Sequence, residues 1–173
     1  MEALKTLIRN VPDYPKPGIV FKDITPLLAD PASFKTMVTA FRDRYQGKDI
    51  DAVVGIEARG FVFAAPLAYA LGAGVTLVRK PNKLPHKTYS QTYSLEYGTD
   101  AVEIHQDAFQ PGQKIIVIDD VLATGGTLAA TTDLIRNNFP DVDIVEAAFL
   151  MELSFLNGRD KLNDLAIHSL ITY

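Results

Sequence analysis

The run Asp119-Asp120-Val121-Leu122-Ala123-Thr124-Gly125-Gly126-Thr127 holds the densest set of chemically useful groups in the chain. It follows an apolar strand predicted over 114–118 (KIIVI) and opens a helix predicted over 126–138. Two carboxylates at the end of a buried strand are unfavourable unless they meet hydroxyls, a metal or solvent. The residues beyond them are small. Two adjacent glycines let several backbone N–H groups converge on one phosphate at the helix N-terminus. Thr124 and Thr127 add hydroxyl donors. An acidic pair beside such a cradle suits a sugar with vicinal hydroxyls and a 5′-phosphate. The alternative is a strand-to-helix turn with Asp and Thr as caps, which fits a bare TGGT better than one with the acidic pair placed directly after KIIVI. Other phosphate motifs fit worse. There is no G-x-G-x-x-G, and although Gly55 and Gly60 have Walker-type spacing, Phe61 and Val62 replace the needed Lys and Ser or Thr.

Further candidates follow other strands. GIEARGF (55–61) lies at the carboxyl end of an apolar run over 50–56, where open α/β sheets place ligands. Its small residues admit a pyrophosphate, and Arg59 can grip one with two prongs. Arg59 could instead be a surface ion-pair partner. Arg79, Lys80 and Lys83 form a basic run that would compensate diphosphate charge, or else a solvated charged turn. Residues 86–97 (HKTYSQTYSLEY) are polar, aromatic and hydroxyl-rich. With so little aliphatic content they suit a lid that excludes water, and His86 is expected to be a lone exposed histidine. Phe21 offers an aromatic face for a purine, with core packing as the alternative.

These residues need a scaffold. Ala3, Leu4, Leu7, Ile8 and Val11 have helical spacing, and Pro12, Pro15, Pro17 and Gly18 enforce irregular backbone after them. Asp30-Pro31 predicts the cap and first turn of a helix carrying Phe34, Met37, Val38, Phe41 and Tyr45. Strands are predicted over 50–56, 75–79, 114–118, 143–150 and 166–171, with helices over 61–71 and 126–138 and a hairpin-like pair at 93–95 and 101–105. This alternation implies a mostly parallel sheet flanked by helices. The chain is expected to be one domain, 1–173. Its core spans about 31–150, and a small hood comes from 1–30 and 151–173.

The segment 116–127 resembles the phosphoribosyl-pyrophosphate signature of the type I phosphoribosyltransferases. DDVLATGGT is similar to the adenine-specific branch of that family. So are PDYPKPGIVFKDITPLL, DPASF, GIEARGF, LVRKPNKLP, YSLEYG and ELSFLNGR, and together these run nearly end to end. The resemblance implies the type I phosphoribosyltransferase fold. It implies transfer of a 5-phosphoribosyl group from phosphoribosyl pyrophosphate to adenine, giving AMP and pyrophosphate. Asp119, Asp120, Ala123, Thr124, Gly125, Gly126 and Thr127 would bind ribose and 5′-phosphate. Glu57, Ala58, Arg59, Arg79, Lys80 and Lys83 would bind pyrophosphate, with a non-proline cis peptide at Glu57–Ala58. Glu96 and Tyr97 would be the lid's catalytic pair, alongside Arg59, unless they are merely strand residues of YSLEYG. Leu156 would cover adenine opposite Phe21, and the backbone of Val20 and Lys22 would read its edge. Mg²⁺ would be carried mainly by the substrate, without a dedicated set of protein ligands. The resemblance further implies a homodimer in which the basic run acts across the interface. In the 6-oxopurine enzymes an acidic residue precedes the Thr-Gly of the loop; here it is Ala123, which argues against hypoxanthine or guanine.

Composition narrows the remaining possibilities. A net charge of −4 gives no overall attraction for nucleic acid or anionic membrane, so a polyanion must be held by a local cluster. With no cysteine, disulfides and thiolate catalysis are excluded. No apolar run approaches membrane-spanning length, and MEALKTLIRN has no signal-peptide core. A cytoplasmic enzyme is expected. The rivals are transfer to another purine such as xanthine, a ligand-binding subunit with an inactive lid, and a non-catalytic phosphoribosyl-pyrophosphate-binding regulator. A DNA-binding regulator would need a basic domain for which 173 residues leave no room.

Overall fold

The computed structural model describes residues 1–94, 98–162 and 164–173. The chain divides into two compact units, Met1–Arg44 and Tyr45–Tyr173. In the first, α1 (Glu2–Lys5) gives way to β1 (Arg9–Pro12), which pairs antiparallel with β2 (Val20–Asp23). The helix expected through Val11 therefore stops early. Val11 lies opposite Phe21 and Pro12 opposite Val20, so extended pairing wins where a proline cluster forbids further helix. After α2 (Thr25–Ala29), α3 runs over Pro31–Tyr45. Asp30 caps α3 as expected, its carboxylate accepting the Ser33 N–H at 2.8 Å.

The second unit is built on a parallel five-stranded sheet. Its strands are β3 (Ala52–Ile56), β4 (Gly74–Val78), β7 (Lys114–Leu122), β8 (Asp143–Glu152) and β9 (Ile167–Thr172), in the order β4-β3-β7-β8-β9. Every residue of β3 is buried, as expected of a strand covered on both faces. Helices α4 (Gly60–Leu71) and α5 (Gly126–Asn138) follow β3 and β7. Residues 167–172, grouped with the hood in the sequence-based expectation, form the sheet's edge strand. Parallel pairing with β8 takes up the backbone groups of Ile167 to Thr172 that face the sheet.

An antiparallel hairpin, β5 (Thr88–Ser94) and β6 (Thr99–His105), stands apart from this sheet and is joined to it by an Arg79–Glu103 bridge. It differs from the expected core-free lid. Alternate residues of β5 face inward, and Tyr89 and Tyr93 pack on the buried cluster. Tyr89 meets Phe139 edge-on at 5.7 Å. Aromatic rings here replace the missing aliphatic side chains.

Candidate active site

The strand order reverses between β3 and β7, because the chain leaves β3 for β4 on one side and later returns to β7 on the other. Ligands of open α/β sheets bind at the carboxyl ends of strands at such a point. A cavity of about 240 Å³ opens there. Its lining includes Glu57, Ala58 and Arg59 after β3, Lys80 after β4, and Asp119 to Thr127 from the end of β7 into α5.

The acidic pair lies within the last turn of pleat of β7, which continues to Leu122 beyond the five residues expected. Asp119 Oδ1 accepts the Asp120 N–H at 2.9 Å. Burial, followed by the charge of Asp120, holds the Asp119 carboxyl well above its ordinary range. Burial also raises Asp120, although the Arg59 guanidinium opposes it. That guanidinium lies 2.8 Å from Asp120, with Nε against Oδ2. Arg59 is thus an ion-pair partner and part of the cavity wall at once.

The turn that follows is held open by glycine. Gly125 has φ 77°, a left-handed conformation that side chains resist, and it precedes the first residue of α5. Gly60 admits the sheet end closely, since a Cβ there would lie 2.8 Å from the Ile118 carbonyl oxygen and 3.1 Å from Asp119 Oδ1. The Glu57–Ala58 peptide is cis.

The basic run splits in two. Lys80 faces the cavity, donating to Tyr93 Oη at 2.8 Å and to the Asp100 carboxylate. Burial would lower the Lys80 pKa, but the bonds to Asp100 and Tyr93 outweigh it and raise the pKa. Asp100 is lowered, chiefly by that bond from Lys80. Tyr93 Oη also accepts from Thr127 Oγ1 at 3.2 Å, linking the hairpin to the first turn of α5. Arg79 and Lys83 do not line the cavity. Arg79 Nε instead binds Glu57 at 3.1 Å and its Nη1 donates to the Lys83 carbonyl at 3.1 Å. Glu57 also accepts the Lys80 N–H at 2.8 Å. Burial would raise its pKa, yet the bonds from Lys80 and Arg79 leave it below the ordinary value.

Of the expected base-site residues, Val20, Phe21 and Lys22 form β2 in the first unit, where the Phe21 ring meets Tyr14 edge-on at 5.2 Å. Leu156 ends a 3₁₀ turn, Ser154–Leu156, in the second unit and is exposed. Glu96 and Tyr97 lie outside the described residues. His86 is exposed, as expected, with its ring 6.2 Å from that of His105. Sequence reasoning missed Tyr93 and Asp100. Their signal was the two-residue alternation of TYSQTYS, which sets Tyr93 opposite Asp100 and is visible only once the hairpin register is known.

The phosphoribosyl transferase domain family matches residues 24–165. The adenine phosphoribosyltransferase of Geobacter metallireducens is 58% identical over 173 residues, spanning 100% of both chains. The chain belongs to the phosphoribosyltransferase family, in its adenine phosphoribosyltransferase branch. Among solved structures, the adenine phosphoribosyltransferase of Thermoanaerobacter pseudethanolicus superposes with a TM-score of 0.94 at 48% identity, covering 99% of each chain. That of Saccharomyces cerevisiae, complexed with adenine and an imino-altritol bisphosphate, gives 0.92 at 38% identity over 98% of this chain and 97% of its own. The fold is that of the type I phosphoribosyltransferases, and the chain is a transferase of that family.

Proposed function

We propose that this phosphoribosyltransferase joins adenine to the 5-phosphoribosyl group of phosphoribosyl pyrophosphate, releasing pyrophosphate and forming AMP for purine salvage. The observation that carries this reading is the cavity at the β3–β7 switch, where an acidic pair, a glycine turn at a helix N-terminus and two cations meet. Thr124, Gly125, Gly126 and Thr127 cradle the 5′-phosphate, and Asp119 and Asp120 hold the ribose hydroxyls. As pyrophosphate departs, negative charge grows on the leaving group and positive charge on the sugar. Glu57, Ala58, Arg59 and Lys80 form the wall that receives the leaving group, with the two cations meeting its charge. Mg²⁺, brought mainly on the diphosphate and adjoined by Asp119 or Asp120, would neutralise further leaving-group charge; two carboxylates are too few for a closed oxygen cage.

We assign the base to Phe21 and Leu156, with the Val20 and Lys22 backbone reading its edge. Glu96 and Tyr97 are assigned as the catalytic pair, with Glu96 helping to remove or orient the proton on the attacking nitrogen. Ala123 leaves no carboxylate facing a 6-oxopurine. The hood role is proposed for segments 1–30 and 153–166, since 151–152 and 167–172 belong to the sheet. Arg79 and Lys83, which do not line their own chain's cavity, are assigned to the partner's diphosphate across a two-fold homodimer interface. The exposed apolar residues Val62 and Tyr69 on α4 and Val75 and Leu77 on β4 support such an interface. Among the described residues no helix is long and apolar enough to cross a membrane. A multiply charged substrate that does not diffuse through lipid fits a cytoplasmic enzyme.

The test is pyrophosphate release with Mg²⁺, phosphoribosyl pyrophosphate and each common nucleobase in turn. Adenine is expected to exceed hypoxanthine, guanine and xanthine by orders of magnitude in kcat/KM, because a reversed donor–acceptor edge leaves buried groups unpaired. Comparable efficiency with hypoxanthine or xanthine overturns the base assignment. No turnover with any base, in protein that binds phosphoribosyl pyrophosphate, favours a regulator.

A further inference from the structure

We infer that Gly158 is a positioning residue for the phosphate-binding turn, acting through the backbone of Ala123 and Gly125. This rests on the assignment of residues 123–127 to the 5′-phosphate. A turn with two adjacent glycines has wide backbone freedom. Its N–H groups converge on one anion only if something outside the turn fixes it, and prior fixing lowers the ordering penalty of binding.

Gly158 is placed to supply that constraint. It is buried and opens a 3₁₀ turn, Gly158–Lys161. A Cβ on Gly158 would collide with the Ala123 carbonyl and sit 3.2 Å from the Gly125 nitrogen. A Cβ on Gly125 would in turn collide with the Gly158 carbonyl and sit 3.3 Å from the Gly158 Cα. The two backbones therefore touch with no room for a side chain on either. Gly125 also needs its positive φ, whereas Gly158 does not adopt the left-handed region. At Gly158 the contact alone demands glycine.

The segment that presents Gly158 is itself anchored to the sheet. The Leu153 N–H donates to the Leu122 carbonyl at 2.9 Å. Arg159, next to Gly158, clamps the Glu152 carboxylate with two bonds of 2.7 Å and donates to the Ile167 carbonyl at 3.2 Å. Glu152 lies opposite Leu122 in the β7–β8 register, one residue before the turn begins. Strands β8 and β9 thus set the shape of a turn that belongs to β7 and α5.

The experiment is calorimetric titration of the full chain with AMP and, separately, with inorganic pyrophosphate plus Mg²⁺. Gly158→Ala is expected to bind AMP about tenfold more weakly or worse. It should bind pyrophosphate within about twofold of the parent, because Gly158 presses on Ala123 and Gly125, whereas pyrophosphate is assigned to Glu57–Arg59 and Lys80. General damage would weaken both ligands alike, and that result overturns the inference. So does unchanged AMP affinity. Should Gly158→Ala fail to fold, Arg159→Gln releases the clamp without adding a Cβ at Gly158. Weaker AMP binding with normal pyrophosphate binding is then expected, and unchanged AMP affinity overturns the inference. Thr124→Ala separates this inference from the reading beneath it, since loss of a hydrogen bond to a charged group should weaken AMP about tenfold. If Thr124→Ala weakens AMP while Gly158→Ala does not, the phosphate assignment stands and the role of Gly158 falls. If Thr124→Ala binds AMP normally, the turn is not the phosphate site and both fall.

Discussion

At Asp119, burial and the adjacent Asp120 both oppose the ionised carboxylate, and its pKa rises accordingly. A raised acid favours its protonated form, so its contribution to stability declines as pH climbs from the unfolded value through the folded one. Folding therefore resists the ionised form of a group to which the proposed function assigns a ribose hydroxyl. Asp119→Asn should relieve that conflict, since an amide oxygen can still accept the Asp120 N–H. A gain of about 1 kcal/mol would raise Tm by about 3 °C in a chain of this size. Loss of a charged hydrogen bond to a ribose hydroxyl should lower kcat/KM for phosphoribosyl pyrophosphate by about tenfold to a hundredfold. Scanning calorimetry beside steady-state kinetics checks both halves, and a less stable but fully active variant would contradict both. Gly125→Ala probes the neighbouring turn. From the sequence, a side chain there would be expected to block the phosphate itself; in the structure it strikes the Gly158 carbonyl and must also adopt φ 77°. AMP affinity should fall by about tenfold or more in folded protein, and calorimetry showing parent affinity would refute it. DDVLATGGT was legible because acid, hydroxyl and glycine types are local to one turn. The Gly158 contact was not, because no local pattern marks a distant backbone pressed against that turn.

Elements make the same division visible. The buried parallel strands and helices α4 and α5 were legible to within a few residues, since long apolar runs bounded by glycine admit few readings. Strand β5 was underestimated because the side chains it sends to the core are two tyrosines among polar neighbours. The first helix was overextended because helical spacing persisted into residues that a hairpin claims. Strand β8 ends in a buried carboxylate whose partners were equally hidden. Glu152 accepts two bonds from Arg159 and one from Ser169 Oγ at 3.0 Å. The bond from Arg159, ahead of opposing burial, sets its pKa below the ordinary value. Such a group contributes stability above its unfolded pKa, about 4.3, and loses it as pH falls through the lower folded value. Glu152→Gln should therefore lower Tm at pH 7, and the gap to the parent should close as pH falls below about 4. Tm measured from pH 7 to pH 3 tests this, and a gap that stays constant with pH would show that the ion pair is not its source. Arg159 is half-exposed, so solvent screening keeps the effect modest.

For the whole molecule, charge and exposed apolar surface bear on assembly. A net charge of −4 cannot itself draw in a polyanionic substrate, so cations must be concentrated at the site. Arg59 and Lys80 line the chain's own cavity, while Arg79 and Lys83 do not. Val62 and Tyr69 share one face of α4, a helix packed on β3 and β4, and Tyr69 is 91% exposed. Val75 and Leu77, two residues apart on the edge strand β4, are also exposed. Scattered exposed apolar residues are ordinary, but a helix face and a sheet edge exposed together are suited to a self-complementary two-fold contact. Sedimentation at micromolar concentration should give a dimer. Tyr69→Glu combined with Leu77→Glu buries a charge at each half of such a contact and should shift the protein to monomer. If Arg79 and Lys83 serve the partner's diphosphate, that monomer should show a raised KM for phosphoribosyl pyrophosphate with adenine binding little changed. A parent protein that sediments as a monomer at full activity would end the dimer proposal. A monomeric double variant with parent KM would leave the dimer standing but return the two cations to a role in the surface loop around Glu57.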